Sequence, residues 1–192
     1  MSTETHSHAG PLRPAQAGML AFLLSEVAFF GTLIMAYVYF LRQTRTGSPS
    51  PAEVFSLPLV LAGTACLLTS SVTIHLAEKA LHAGARGRFL LLWGLTIVLG
   101  GLFLLGTAIE WRELIYTHGL TISRNMFGST YFTLVGFHAA HVTMGLVVLG
   151  ILLGLGLRQV ASPEAVQLVS WYWHFVDAVW IVVFLLVYVV GR

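Results

Sequence analysis

The chain has 192 residues, of which 57% are hydrophobic and only 9% charged, with a mean hydropathy of +0.83. An ordinary soluble domain carries about 25% charged residues, so this composition excludes one and points to a chain that lives in a membrane. A net charge of +2 from scattered Lys and Arg offers no clustered basic face for nucleic acid, and a single cysteine, Cys66, excludes an internal disulfide, a CxxC redox pair and a thiolate-built metal site.

Residues 1–17 form a polar tail with His6, His8 and Arg13. It leads into an apolar run too long for a secretory signal and without a small-residue cleavage site, so the first hydrophobic segment is expected to be retained. A transmembrane helix needs about 20 predominantly apolar residues to cross about 30 Å of hydrocarbon. Five segments meet that requirement: Gly18–Leu41, Val54–Ala77, Phe89–Ile109, Ser129–Leu157 and Val166–Val190. Between them lie polar or Gly-, Pro- and Ser-rich stretches, Arg42–Pro51, Lys79–Arg88, Glu110–Arg124 and Arg158–Glu164, which read as loops. A closed barrel is the other way to satisfy backbone groups in lipid, but its strands alternate in polarity and these runs do not. The expected fold is all-α: one five-helix membrane domain over residues 18–192.

Orientation follows from comparing Lys and Arg on the two sides. Arg13, Lys79, Arg86, Arg88 and Arg158 fall on the N-terminal side, and Arg42, Arg45, Arg112, Arg124 and Arg192 on the other, which is a tie. The dense second loop leans towards a cytoplasmic N-terminus. Gly94, Gly100, Gly101 and Gly106 punctuate the third span, and Gly150 and Gly154 form a small-xxx-small pair in the fourth, the pattern that lets helix backbones approach closely in lipid. Trp111, Tyr116, Trp171, Tyr172 and Trp173 stand near span ends, where amphipathic rings settle at headgroup level.

Ionisable residues at membrane depth are costly and face a bundle interior or a cavity. Glu26 lies roughly 13 Å into its helix at 1.5 Å per residue, with Phe30, Leu33 and Tyr37 on the same face. A lone carboxylate there is expected to be protonated or paired. His138 and His141 are three residues apart, as are His174 and Asp177, so each pair projects from one helix face. Two histidines and a carboxylate could hold a metal, and histidines from two helices could ligate haem. The alternative is an interhelical hydrogen-bond network in which Asp177 fixes a histidine tautomer, and it is preferred because no cofactor pocket is visible in the sequence. His75 and Glu78 read as interfacial, and His6 and His8 as solvated.

The stretches Ser25–Tyr39 (SEVAFFGTLIMAYVY), Gly119–Gly145 (GLTISRNMFGSTYFTLVGFHAAHVTMG) and Trp171–Trp180 (WYWHFVDAVW) together resemble subunit III of the haem-copper terminal oxidases, and they stand in that family's order. Ile109-Glu110-Trp111 at the end of the third span adds to the resemblance, which runs from about Ser25 to Arg192. Longer members have seven helices with lipids in a cleft between two groups. By this resemblance the chain is expected to begin at the equivalent of their third helix, as in the five-helix bacterial form. The resemblance implies an N-terminus in the cytoplasm, a C-terminus in the periplasm, and residence in the bacterial cytoplasmic membrane. It implies no redox centre in this chain, with haem and copper in subunit I and copper an option in subunit II. It further implies that the chain packs on subunit I, supporting proton uptake and guarding the catalytic centre from inactivation.

Residue by residue, the resemblance makes Glu26 the family's buried carbodiimide-reactive acid and assigns His138, His141, His174 and Asp177 to helix and subunit contacts. Arg158 is the expected contact for a phospholipid headgroup. Partners are then oxidase subunits I and II and membrane lipids. Competing readings are a quinol oxidase subunit III or nitric oxide reductase accessory subunit, a haem-b membrane anchor built on His138, His141 and His174, and a proton-coupled carrier built on Glu26 and Asp177. Carriers usually show broken helices and an internal repeat, neither of which the sequence contains.

Overall fold

In a computed structural model of the chain, the residues described are 13–43, 57–117 and 126–190. His6, His8, Glu53 and Arg124 lie outside them. The described residues form five long helices: α1 Pro14–Gln43, α2 Leu57–His82, α3 Arg86–Tyr116, α4 Met126–Leu157 and α5 Pro163–Phe184. The last of these continues as a wider π-helical end over Leu185–Val190. All five are long and apolar enough to cross a membrane, and no strand occurs among the described residues.

Local chemistry explains the turns. Helices α2 and α3 are joined by three residues, and Gly84 at their centre has φ +69°, a left-handed conformation that glycine adopts without steric cost. At the start of α5, Ser162 is an N-cap whose Oγ accepts from the Ala165 N–H at 3.1 Å, and Pro163 follows at the first helical position, where its missing N–H costs nothing. The α4 end is closed by the residues that follow it, with the Gln159 N–H on the Gly156 carbonyl at 3.1 Å and the Val160 N–H on that of Leu155 at 3.0 Å, and also from α3. Arg86 Nη2 donates to the carbonyls of Gly156 at 3.2 Å and Leu157 at 2.8 Å, adding a side-chain donor to carbonyls at the helix end.

The bundle is uneven. Helix α5 packs against α1, α2 and α4, while α4 packs against α1, α3 and α5. In the most apolar window of each, 44% of α5 is buried against 6% of α1. Helix α5 is therefore the pillar of the fold and α1 a peripheral helix, with Leu24, Val27 and Met35 turned outward. On α3 the buried positions Phe89, Trp93, Thr96, Gly100, Phe103, Thr107, Glu110 and Leu114 alternate by four and three, the seam expected where a helix packs along its length.

Trp173 locks the centre. Its indole is fully buried, and its Nε1 donates to Ser70 Oγ on α2 at 2.9 Å. A Cβ added at Gly100 of α3 or Gly145 of α4 would meet that ring at 2.8 Å. The two glycines thus form the slot that admits an indole between three helices. Trp173 and Tyr172 are buried deep in the bundle, contrary to their expected place at headgroup level, because the glycine slot and the Ser70 hydroxyl make a satisfied interior site. Tyr116, 82% exposed, does stand at a helix end. The small-xxx-small reading is also corrected within this chain: nothing lies within 4 Å of a Cβ at Gly150 or Gly154, and the close approaches in α4 occur at Gly136, Gly145 and Gly156 instead.

Candidate functional site

The polar residues at membrane depth fall into separate clusters. In the first, Glu26 of α1 meets His141 of α4, with Oε2 to Nε2 at 3.0 Å and side chains only 17% and 14% exposed. His141 Nδ1 lies 2.7 Å from the Phe137 carbonyl. A carbonyl only accepts, so Nδ1 must carry a hydrogen. A neutral ring then offers a lone pair at Nε2 and requires the acid form of Glu26, whereas a charged ring requires the carboxylate. In both descriptions one proton lies between Nε2 and Oε2. Phe29 and Phe30 flank the imidazole with ring centroids 6.1 and 4.9 Å away, and the Tyr172 hydroxyl donates to the His141 carbonyl at 3.0 Å. This apolar wall keeps the shared proton from water. Phe30 and Tyr37 are buried on the same face of α1 as Glu26, as their spacing predicts.

His138, one helical turn before His141, has a different setting. Its ring is fully buried and stacks on Trp180 at 5.0 Å and 27°, with Phe103 edge-on at 5.8 Å. Neither ring nitrogen has a hydrogen-bond partner. The third cluster joins α2 and α5, where Ser71 Oγ and His174 Nδ1 hydrogen-bond at 2.6 Å and the His75 ring stands 6.5 Å from that of His174. Asp177, one turn further along α5, is 3% exposed with the Ser71 hydroxyl nearby, yet neither carboxyl oxygen has a partner at hydrogen-bonding distance. The expected single network of His138, His141, His174 and Asp177 is thus divided. The tautomer of His141 is set by a backbone carbonyl, and Asp177 bonds no histidine: His138 and His141 face seams other than the α2–α5 seam, where His174 and Asp177 both stand beside Ser71. Among the described residues no group of three or more His, Cys, Asp or Glu is arranged to hold a metal ion. Arg158 is exposed at the end of α4, its N–H bonded to the Gly154 carbonyl at 3.2 Å.

A fourth cluster was not foreseen in the sequence. Glu110, expected to open a loop, lies inside α3 and is 4% exposed. The Tyr188 hydroxyl donates to its Oε2 at 3.0 Å, and the hydroxyls of Tyr131 and Tyr188 are 3.2 Å apart. With the Tyr188 hydrogen directed at Glu110, Tyr131 must donate to Tyr188. The chain from Tyr131 through Tyr188 to Glu110 ties α4, α5 and α3 together on the side of the bundle opposite the N-terminus. The α3 alternation of four and three, continued past Ile109, was the available signal.

Comparison with known proteins completes the picture. The profile of the cytochrome c oxidase subunit III family matches residues 4–192. Cytochrome c oxidase subunit 3 of Corynebacterium diphtheriae is 39% identical over 181 residues, covering 89% of this chain and 85% of that protein. Cytochrome bo(3) ubiquinol oxidase subunit 3 of Pseudomonas aeruginosa is 36% identical over 177 residues, with 91% and 84% covered. The probable quinol oxidase subunit 3 of Staphylococcus saprophyticus is 34% identical over 193 residues, with 98% and 94% covered. A multi-pass bundle of five helices, held by buried polar pairs, is therefore the scaffold, and the chain belongs to the cytochrome c oxidase subunit III family. The family supplies one subunit of multi-subunit haem-copper oxidases, with cytochrome c and quinol oxidases both represented among these relatives.

Proposed function

We propose that this chain is a non-catalytic subunit III of a proton-pumping oxygen reductase of the cytochrome c oxidase type, seated against subunit I in the bacterial cytoplasmic membrane. In this reading haem and copper reside in partner subunits. The chain supports proton uptake into subunit I and prolongs the life of its catalytic centre. The observation that carries it is the Glu26–His141 pair: one proton held between two helices, walled by phenylalanines, beneath the helix with the least buried surface. A partner laid on α1 would cover that pair and feel its charge state. The ring nitrogens of His141 are both engaged within the chain, which favours a structural and proton-holding role over haem ligation.

The test is to tag the chain, extract it in mild detergent, and record the copurifying subunits together with the reduced-minus-oxidised visible spectrum. Recovery of a large haem- and copper-bearing subunit, with a spectrum that leaves when that subunit is removed, is the expected result. A haem spectrum that stays with the isolated chain and vanishes on His138 or His141 substitution would replace this reading with a haem-b anchor. The electron donor is read on the same preparation, by whether reduced cytochrome c or a quinol drives oxygen consumption.

A further inference from the structure

A cavity lies away from all of these clusters, on the outer face of the α2–α3 hairpin at its N-terminal-side end. It measures about 570 Å³ and is lined by Leu76, Lys79, Ala80, Gly87, Arg88 and Leu91, among others. The tight turn at Gly84 brings the two helices together, and the small side chains around it leave the space between them hollow. The mouth is cationic and the floor apolar. Lys79 and Arg88 face the groove from opposite helices, no acidic residue lines it, and neither cation forms an ion pair among the described residues. Leu76 and Leu91, 44% and 69% exposed, extend the apolar surface along the two helices toward the membrane interior. Arg86, at the same turn, is committed elsewhere by its bonds to the α4 carbonyls.

We propose that this groove binds an anionic phospholipid, its phosphate held between Lys79 and Arg88 and an acyl chain laid along Leu76 and Leu91. The charge pattern selects this occupant: two unpaired cations at the end of two membrane-spanning helices sit where lipid phosphates lie, and basic pockets between such helices take acidic headgroups. The apolar floor gives the acyl chain a complementary wall, which a free anion would not use. The site is distinct from Arg158, the residue singled out from the sequence for a headgroup. The proposal does not depend on the role of the oxidase complex, since the groove is formed by this chain alone.

The experiment uses the intact detergent-purified complex, exchanged into phosphatidylglycerol or phosphatidylcholine, then delipidated in steps and weighed by native mass spectrometry. Wild-type chain should retain phosphatidylglycerol over phosphatidylcholine by about tenfold or more, the scale set by two surface cations. Lys79→Gln with Arg88→Gln should abolish that preference, while Lys79→Arg with Arg88→Lys should keep it. Gly87→Leu fills the groove and leaves both charges; a Cβ at Gly87 meets nothing within 4 Å, so the fold tolerates it, and lipid retention should fall. Unchanged retention in the double glutamine variant and in Gly87→Leu overturns the proposal. Displacement of the lipid by millimolar inorganic phosphate would identify a free-anion site and overturn it as well. A photo-crosslinker at Leu91 that couples to another oxidase subunit instead of to lipid would make the groove a protein interface, with the same consequence.

Discussion

The carbonyl of Phe137 decides what His141 can do. By taking the Nδ1 hydrogen it leaves Nε2 dependent on Glu26 for its partner. Glu26→Gln keeps a side-chain amide of similar reach opposite Nε2, so the hydrogen bond survives; Glu26→Leu leaves Nε2 unpartnered. Thermal unfolding of the purified complex should place the glutamine variant within about 1 kcal/mol of wild type and the leucine variant about 1–3 kcal/mol below it. Equal losses would mean that side-chain shape, not the shared proton, matters at this position. The two membrane-depth glutamates also differ in access. The Glu26 side chain, on α1, is partly exposed, whereas Glu110 is buried behind Tyr188. A hydrophobic carbodiimide should therefore modify Glu26 and spare Glu110, as read by peptide mass spectrometry. The reverse pattern would remove Glu26 from the role assigned to it.

Between elements, the energetics centre on the Trp173 slot. Without a hydrophobic drive between helices in lipid, close packing and interhelical hydrogen bonds must hold the bundle, and Trp173 supplies both. Gly145→Ala forces a methyl against the indole where only 2.8 Å is available. Overpacking of this kind costs about 1–3 kcal/mol. Gly150→Ala, one and a half turns on and facing open space, should be nearly silent. Comparing the two variants by midpoint of thermal or detergent-induced unfolding separates packing from helix propensity, which favours Ala at both sites. If both variants stabilise the bundle, the slot is looser than its geometry indicates. The same scale accounts for the misplacement of Glu110 in the sequence reading. A charged residue ends an apolar run, but the four-three alternation of α3 carries on through Thr107, Glu110 and Leu114, and the tyrosines from α4 and α5 pay for burying the carboxyl.

At the scale of the molecule, the five helices alternate direction, so the α2–α3 and α4–α5 turns share one side with the N-terminus. The proposed topology puts that side in the cytoplasm. With Cys66 replaced by Ser, a cysteine introduced at exposed Thr117 should react with a membrane-impermeant maleimide in intact spheroplast-forming cells, and one at exposed Ala83 only after the membrane is opened. Labelling of Ala83→Cys alone in intact cells would invert the bundle. Because α1 buries so little of its own surface, a supporting role predicts that it is the helix a partner subunit covers. Removing the chain should then leave initial oxygen consumption of the remaining complex largely intact while activity decays over successive turnovers. An unchanged lifetime would argue against that role.

The amino-acid sequence by itself determined the class, the number of spans and the inward face of α1, because a stretch of about 20 apolar residues has one stable course through lipid and the 3.6-residue period places Glu26, Phe30 and Tyr37 together. Its motifs were specific enough to carry the family resemblance. What it could not determine was pairing across helices. Ionisable residues three apart share a face, but which face meets which neighbour depends on crossing geometry. That geometry is set here by small residues and one indole: Gly100 and Gly145 admit Trp173. In the assembled bundle Glu26 meets His141, His174 meets Ser71, and Asp177 lies beside that same serine without a hydrogen bond to either histidine. Only the tertiary structure could decide this, because a hydrogen bond between residues more than a hundred positions apart depends on where whole helices lie and leaves no local trace in the chain.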